Sequence, residues 1–298
     1  MKKLHLYPFL FVLFILVFQG CGDISEEALR MDGMTLEEKQ LQTRLFDTTD
    51  ERKILSASEG ILQDLGFKLV EREMDLGLIV GSKDRDAVKA GHILLTAIWS
   101  GLNNTPSTYS EKIRISVVTS PAGGNAQRTS VRVIFQRIIW DNYGRLSKLE
   151  RLNVPELYQG FFKKLYKAVF PEAYGSRYES SPSRILTAQG SQVKFRNIKS
   201  RILNTTDKIK TLRAVMVTLQ DLGFVINKAD NVLRTVHATK LDQYAMRITV
   251  SVRSHSETQM HVRANAQYNL KTIEDPEPYQ QFFAALEKAM FPPANNIE

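Results

Sequence analysis

Apolar positions three and four apart open each half of this chain, and positions two apart follow them. Leu55, Ile61, Leu62 and Leu65 have helical spacing, as do Leu212, Val215, Met216, Leu219 and Leu222. Each set predicts a helix with one buried face. Thr-Thr-Asp precedes both, at 48–50 and 205–207, where side-chain oxygens can accept the unpaired N–H groups of a first turn. Thr48 and Glu51 fit a capping box in the first copy, and Lys208 breaks it in the second. Gly66 and Gly223 suit a left-handed stop, with Phe67 and Phe224 placed to cover the last turn.

Alternating stretches come next. In the first half they are 67–70, 76–82, 112–119 and 129–140, with a further strand possible at 145–152; in the second they are 224–227, 233–239, 244–253 and 259–268. Met74-Asp75, Asp230-Asn231, Gly123-Gly124-Asn125 and the polar run 254–258 supply turns. Each half then closes with an amphipathic helix. Leu157, Tyr158, Phe161, Phe162, Leu165, Ala168 and Val169 form one stripe, and Tyr279, Phe282, Phe283, Leu286, Ala289 and Met290 repeat it. Pro155 and Pro278 fit the starts, Pro171 and Pro292 the stops. Packing on the sheet explains such stripes more simply than a ligand cradle. The expected fold is α+β: two tandem α-β-β-β-α domains, each an antiparallel sheet with two helices on one face.

The two halves are copies. Residues 44–67 and 201–224 agree at 13 of 24 positions without a gap, including Leu-Gln-Asp-Leu-Gly-Phe. Tyr158-Gln159-Gly160-Phe161-Phe162 recurs as Tyr279-Gln280-Gln281-Phe282-Phe283. The expected organisation is a signal over 1–20, a flexible tether over 21–43 with a short helix near Leu36 to Leu41, a first repeat over 44–171, a linker over 172–200 and a second repeat over 201–293. The linker composition predicts domains that move relative to each other.

Lys2 and Lys3, the apolar run from Leu4 to Phe18, and then Gln19-Gly20-Cys21 have the layout of an export signal. The run falls short of the roughly 20 residues a spanning helix needs. Cys21 is the only cysteine, so no internal disulfide is possible. It stands where cleavage would leave it as the new N-terminus, as in a bacterial lipobox, so it is the expected lipidation site and bilayer anchor. The chain has 40 basic and 32 acidic residues, a formal charge of +8. That excess is mild, and nucleic acid is not an expected partner in an exported compartment.

Candidate chemistry is sparse. An insertion, roughly 86–111, is unique to the first repeat and carries Ile93, Leu94, Ile98 and Trp99 at helical spacing. It either extends the core or docks a partner. Asp64 and Asp221 read as exposed late-helix acids, not catalysts. His255 and His261 flank a turn, but two ligands are too few for a metal site. No zinc, nucleophile-elbow or phosphate-loop motif occurs. Neither enzyme activity, a cofactor nor a metal is expected.

A lipobox-like start, an acidic lead and two tandem α-β-β-β-α units resemble the BamC lipoprotein of the outer-membrane barrel-assembly machinery, whose domains have the helix-grip fold. The strings S-V-V-T-S-P, V-R-V-I-F-Q-R and Y-Q-G-F-F-K-K-L-Y-K-A-V-F are similar to those of uncharacterised proteobacterial envelope lipoproteins. The resemblance implies an accessory or scaffold role without chemistry, facing the periplasm from the outer membrane and binding an envelope protein. The alternative is a carrier of a small apolar ligand or lipid held between helix and sheet.

Overall fold

The computed structural model describes residues 31, 33–84, 110–122, 127–171, 198–241, 245–268 and 271–291. Cys21, His92 and the inserted Ile93, Leu94, Ile98 and Trp99 lie outside the described residues, as does most of the expected linker. The chain is α+β, and each half builds an antiparallel sheet that is six-stranded among the described residues. The first half runs α1 (Leu36–Gln42), β1 (Thr43–Phe46), α2 (Glu51–Asp64), β2 (Lys68–Glu73), β3 (Leu78–Asp84), β4 (Ser110–Ala122), β5 (Arg128–Trp140), β6 (Leu146–Arg151) and α3 (Pro155–Val169). Its strand order is β1-β5-β4-β3-β2, with β6 also on β5. The second half runs β7 (Ser200–Leu203), α4 (Lys208–Asp221), β8 (Phe224–Asp230), β9 (Thr235–Leu241), β10 (Ala245–Ser254), β11 (Met260–Tyr268), β12 (Lys271–Thr272) and α5 (Pro276–Met290). Its order is β12-β11-β10-β9-β8, with β7 also on β11.

The likeness of the halves extends to backbone detail. A register shift between Leu69 and Glu71 in the β2–β3 pair recurs between Ile226 and Lys228 in β8–β9. Gly66 and Gly223 both adopt the left-handed conformation that ends a helix, at φ 77° and 83°. The Tyr158 hydroxyl accepts the Phe135 N–H, as the Tyr279 hydroxyl accepts that of Ala266. Asp50 and Asp207 cap α2 and α4 by accepting the N–H groups of Lys53 and Lys210. The expected Thr48–Glu51 capping box does not form, because Thr48 accepts the Asp50 N–H and Glu51 is engaged elsewhere.

In the first half, α2 and α3 lie on the same face of the sheet. Ile54, Leu55 and Leu62 of α2 and Tyr158, Phe161 and Phe162 of α3 pack with Ile79, Ile113, Ile115, Val117, Val131, Val133 and Phe135. Side chains of this size contribute about 1.5–3 kcal/mol each when fully buried, so the seam contributes strongly to the stability of the first half.

Two expectations are corrected. The short helix expected near Leu36 to Leu41 is α1, closed by a Thr35–Glu38 capping box, but the lead is not free throughout 21–43: Met31 and Met34 are buried, and β1 joins the sheet at β5. The halves also do not stand apart, since residues Met31–Glu298 form one compact unit. The apolar face of the first sheet opposite its helices needs a cover, and the second half supplies it.

Candidate functional site

That opposite face carries Leu78, Val80, Ser116, Val118 and Ile134, each at most 2% exposed. Strand β8 of the second half packs against β2, β3 and β4, and Val225 meets Ile134 and Leu149. Apolar contact is supplemented by polar pins. Arg132 on β5 donates to the Asp221 carboxylate at 2.7 Å, and Lys39 lies 3.5 Å from it. The Asp221 carbonyl accepts the Met34 N–H at 3.0 Å. Asp221 is therefore the latch at the end of α4. Arg114 on β4 donates to Asn227 at 3.0 Å, and Asn227 donates to Thr239 at 2.6 Å. Arg213 of α4 donates to Glu51 at the start of α2, and the same carboxylate accepts the Thr119 hydroxyl at 2.8 Å.

The strand registers identify the counterparts on the second sheet. Arg114 faces Ser82 across β3–β4 as Arg247 faces Thr239 across β9–β10. Arg132 faces Val118 across β4–β5 as Arg263 faces Ser251 across β10–β11. By the same registers, Leu78, Val80, Ser116, Val118 and Ile134 become Thr235, His237, Thr249, Ser251 and Asn265. The arginines persist while the apolar positions turn polar. Arg247, Arg263 and Asn265 are exposed, and neither arginine has a hydrogen bond or ion pair among the described residues. His237 pairs with Thr249 at 3.1 Å. The candidate site is the β10–β11 part of this face, which is open and cationic; its β8–β9 edge, with Val225 and Thr239 buried, lies against the first half.

Several buried or half-buried titratable groups hold the fold together. Arg137 bonds Glu111 and, at 3.1 Å, Glu150. Lys83 donates to the Leu65 carbonyl at the end of α2 at 2.8 Å, and burial pushes its amine below the ordinary value. Asp64 is exposed, as expected, whereas Asp221 is the latch. The His255 and His261 rings lie 6.2 Å apart, and among the described residues no three His, Cys, Asp or Glu side chains gather as metal ligands. No described helix is long and apolar enough to cross a membrane.

A cleft of about 510 Å³ opens beside α4, lined by residues including Pro121, Ile209, Ala214, Val217 and Met290. It lies on the outer side of α4, not within the helix–sheet seam.

The open face left no motif in the sequence, because the strands of both halves carry alternating positions. One signal distinguishes them. Leu78-Ile79-Val80, Val117-Val118 and Val133-Ile134-Phe135 are unbroken apolar runs, as in strands buried on both faces, whereas Arg247 to Val252 alternates strictly. No family model matches the chain, and no curated protein matches its sequence.

Proposed function

We propose that this protein is a membrane-anchored periplasmic lipoprotein acting, without chemistry of its own, as an accessory or scaffold for another envelope component. One observation carries the reading: a sheet face used for docking inside the molecule has a twin that is open and keeps its arginines. The export-like start ending at Cys21 supports the anchor, and the resemblance to tandem-domain BamC lipoproteins supports the accessory role. Ile93, Leu94, Ile98 and Trp99 offer a second docking element.

Affinity capture from intact envelope tests this, comparing the full protein with a Cys21→Ser variant and one lacking residues 87–102. A specific protein partner lost on deletion or release from the membrane supports the reading. Membrane retention of the Cys21→Ser variant, with the same background proteins in all three, contradicts it.

The alternative, a carrier holding a small apolar ligand between helix and sheet, draws no support from the cleft beside α4, which lies outside that seam. Recovery of a stoichiometric apolar molecule by solvent extraction of the purified protein would favour it.

A further inference from the structure

We infer that the open face of the second sheet binds an acidic polypeptide segment, with Arg247 and Arg263 each holding a carboxylate. This deepens the binding-module reading and is independent of the membrane anchor. The first half shows what such a face accepts. Arg132 takes the side-chain carboxylate of Asp221 and Arg114 the side-chain amide oxygen of Asn227, two groups six residues apart on one continuous segment. The occupant of the twin face is accordingly polypeptide.

Charge then selects its composition. The outward positions of β10 and β11 are Arg247, Thr249, Ser251, Arg253, His261, Arg263, Asn265 and Gln267, without one carboxylate. Asp230, which shares a row with Arg263 through Thr235 and Ser251, stands three strands away, roughly 14 Å. At the five positions equivalent to the apolar anchors of the first half the side chains are polar, leaving Ile202 of β7 as an exposed apolar side chain beside His261, so affinity comes chiefly from charge-assisted hydrogen bonds, which arginine gives to carboxylates in bidentate form. Arg247 and Arg263 are separated by four residues along β10 and one strand across, roughly 14 Å. Acidic residues four apart on an extended segment span that distance.

A second copy of this chain is a poor occupant through the same surfaces. The carboxylate that would meet Arg263 is that of Asp221, already held by Arg132 and Lys39. The position equivalent to Glu51, the acceptor of Arg213, is Lys208.

The test uses full-length protein in a non-ionic detergent, a fluorescent octa-glutamate peptide and, separately, vesicles of phosphatidylglycerol and phosphatidylcholine. The peptide is expected to bind at low salt and to be released as ionic strength rises. The double variant Arg247→Ala/Arg263→Ala should weaken binding by about ten-fold or more. Lys163→Ala/Lys164→Ala, which removes the same charge from the exposed side of α3, should leave it unchanged. Equal weakening by both double variants, or no peptide binding, overturns the proposal. So does arginine-dependent binding of the vesicles alone, which would assign the face to lipid headgroups. If the peptide result fails while envelope capture still recovers a partner, the acidic segment is refuted and the scaffold reading stands.

Discussion

Gly77 and Arg234 occupy the same turn position in the two halves, and both have positive φ, 74° and 57°. Their surroundings differ. A Cβ at Gly77 would lie 2.5 Å from the Thr119 hydroxyl and 2.8 Å from the Arg213 guanidinium, because the second half crosses the first at this turn. Gly77→Ala should therefore cost about 2–3 kcal/mol, combining left-handed strain with overpacking. Arg234→Gly should instead stabilise by up to about 1 kcal/mol, since only strain is relieved. Urea denaturation of both variants measures the contrast.

Asp221 and Asp64 are equivalents with different duties. Asp221→Ala leaves Arg132, whose side chain is 14% exposed, without its carboxylate. The Asp221 carboxylate is itself 40% exposed, so a loss of about 1 kcal/mol is expected, with the halves beginning to melt separately. Asp64→Ala should change stability by less than about 0.5 kcal/mol. Calorimetric scans of the two variants separate these outcomes.

The helix starts and stops were legible in the sequence because they are local: Asp50 and Asp207 cap, and Gly66 and Gly223 terminate, within a few residues of the helices they serve. The aromatic stripe of Tyr158, Phe161 and Phe162 likewise faces the sheet, as its spacing predicted. β1 and β7 escaped notice because four residues are too few to show a period, and each is held by a partner strand distant in sequence, β5 and β11. The roles of Glu51 and Asp221 are set by Arg213 and Arg132 in the opposite half, so no local spacing records them. The open face was readable only by comparing apolar runs between the copies, as at Val80 and His237.

Tyr279 and Tyr158 test how far the duplication holds energetically. The Tyr279 hydroxyl donates to Ile273 at 2.8 Å and accepts from Ala266 at 3.1 Å, while the Tyr158 hydroxyl accepts from Phe135 at 3.5 Å. Tyr279→Phe should cost about 1–2 kcal/mol and Tyr158→Phe about half as much. Equilibrium unfolding in urea reads both.

At the β2–β8 contact, burial pushes the Glu71 and Glu73 carboxyls up, and neighbouring acids including Asp230 push the same way against Lys228. A raised folded-state value means that the folded protein takes up protons first. Stability from these groups is lowest at neutral pH and rises as pH falls through the folded values toward the ordinary carboxylate range, with no further gain below it. Glu71→Gln and Glu73→Gln should thus stabilise the protein at neutral pH, each by about 0.5 kcal/mol. The advantage should vanish in mild acid, as thermal melts across that range would record.

The contrast between twin faces is tested most directly by thiol reactivity. Ile134 and Asn265 are equivalent positions, the first fully buried under the second half and the second exposed. In a Cys21→Ser background, the Asn265→Cys variant should alkylate at the rate of an exposed thiol. The Ile134→Cys variant should react about a hundred-fold more slowly, through opening alone. Similar rates for the two under native conditions would contradict the account of one closed and one open face.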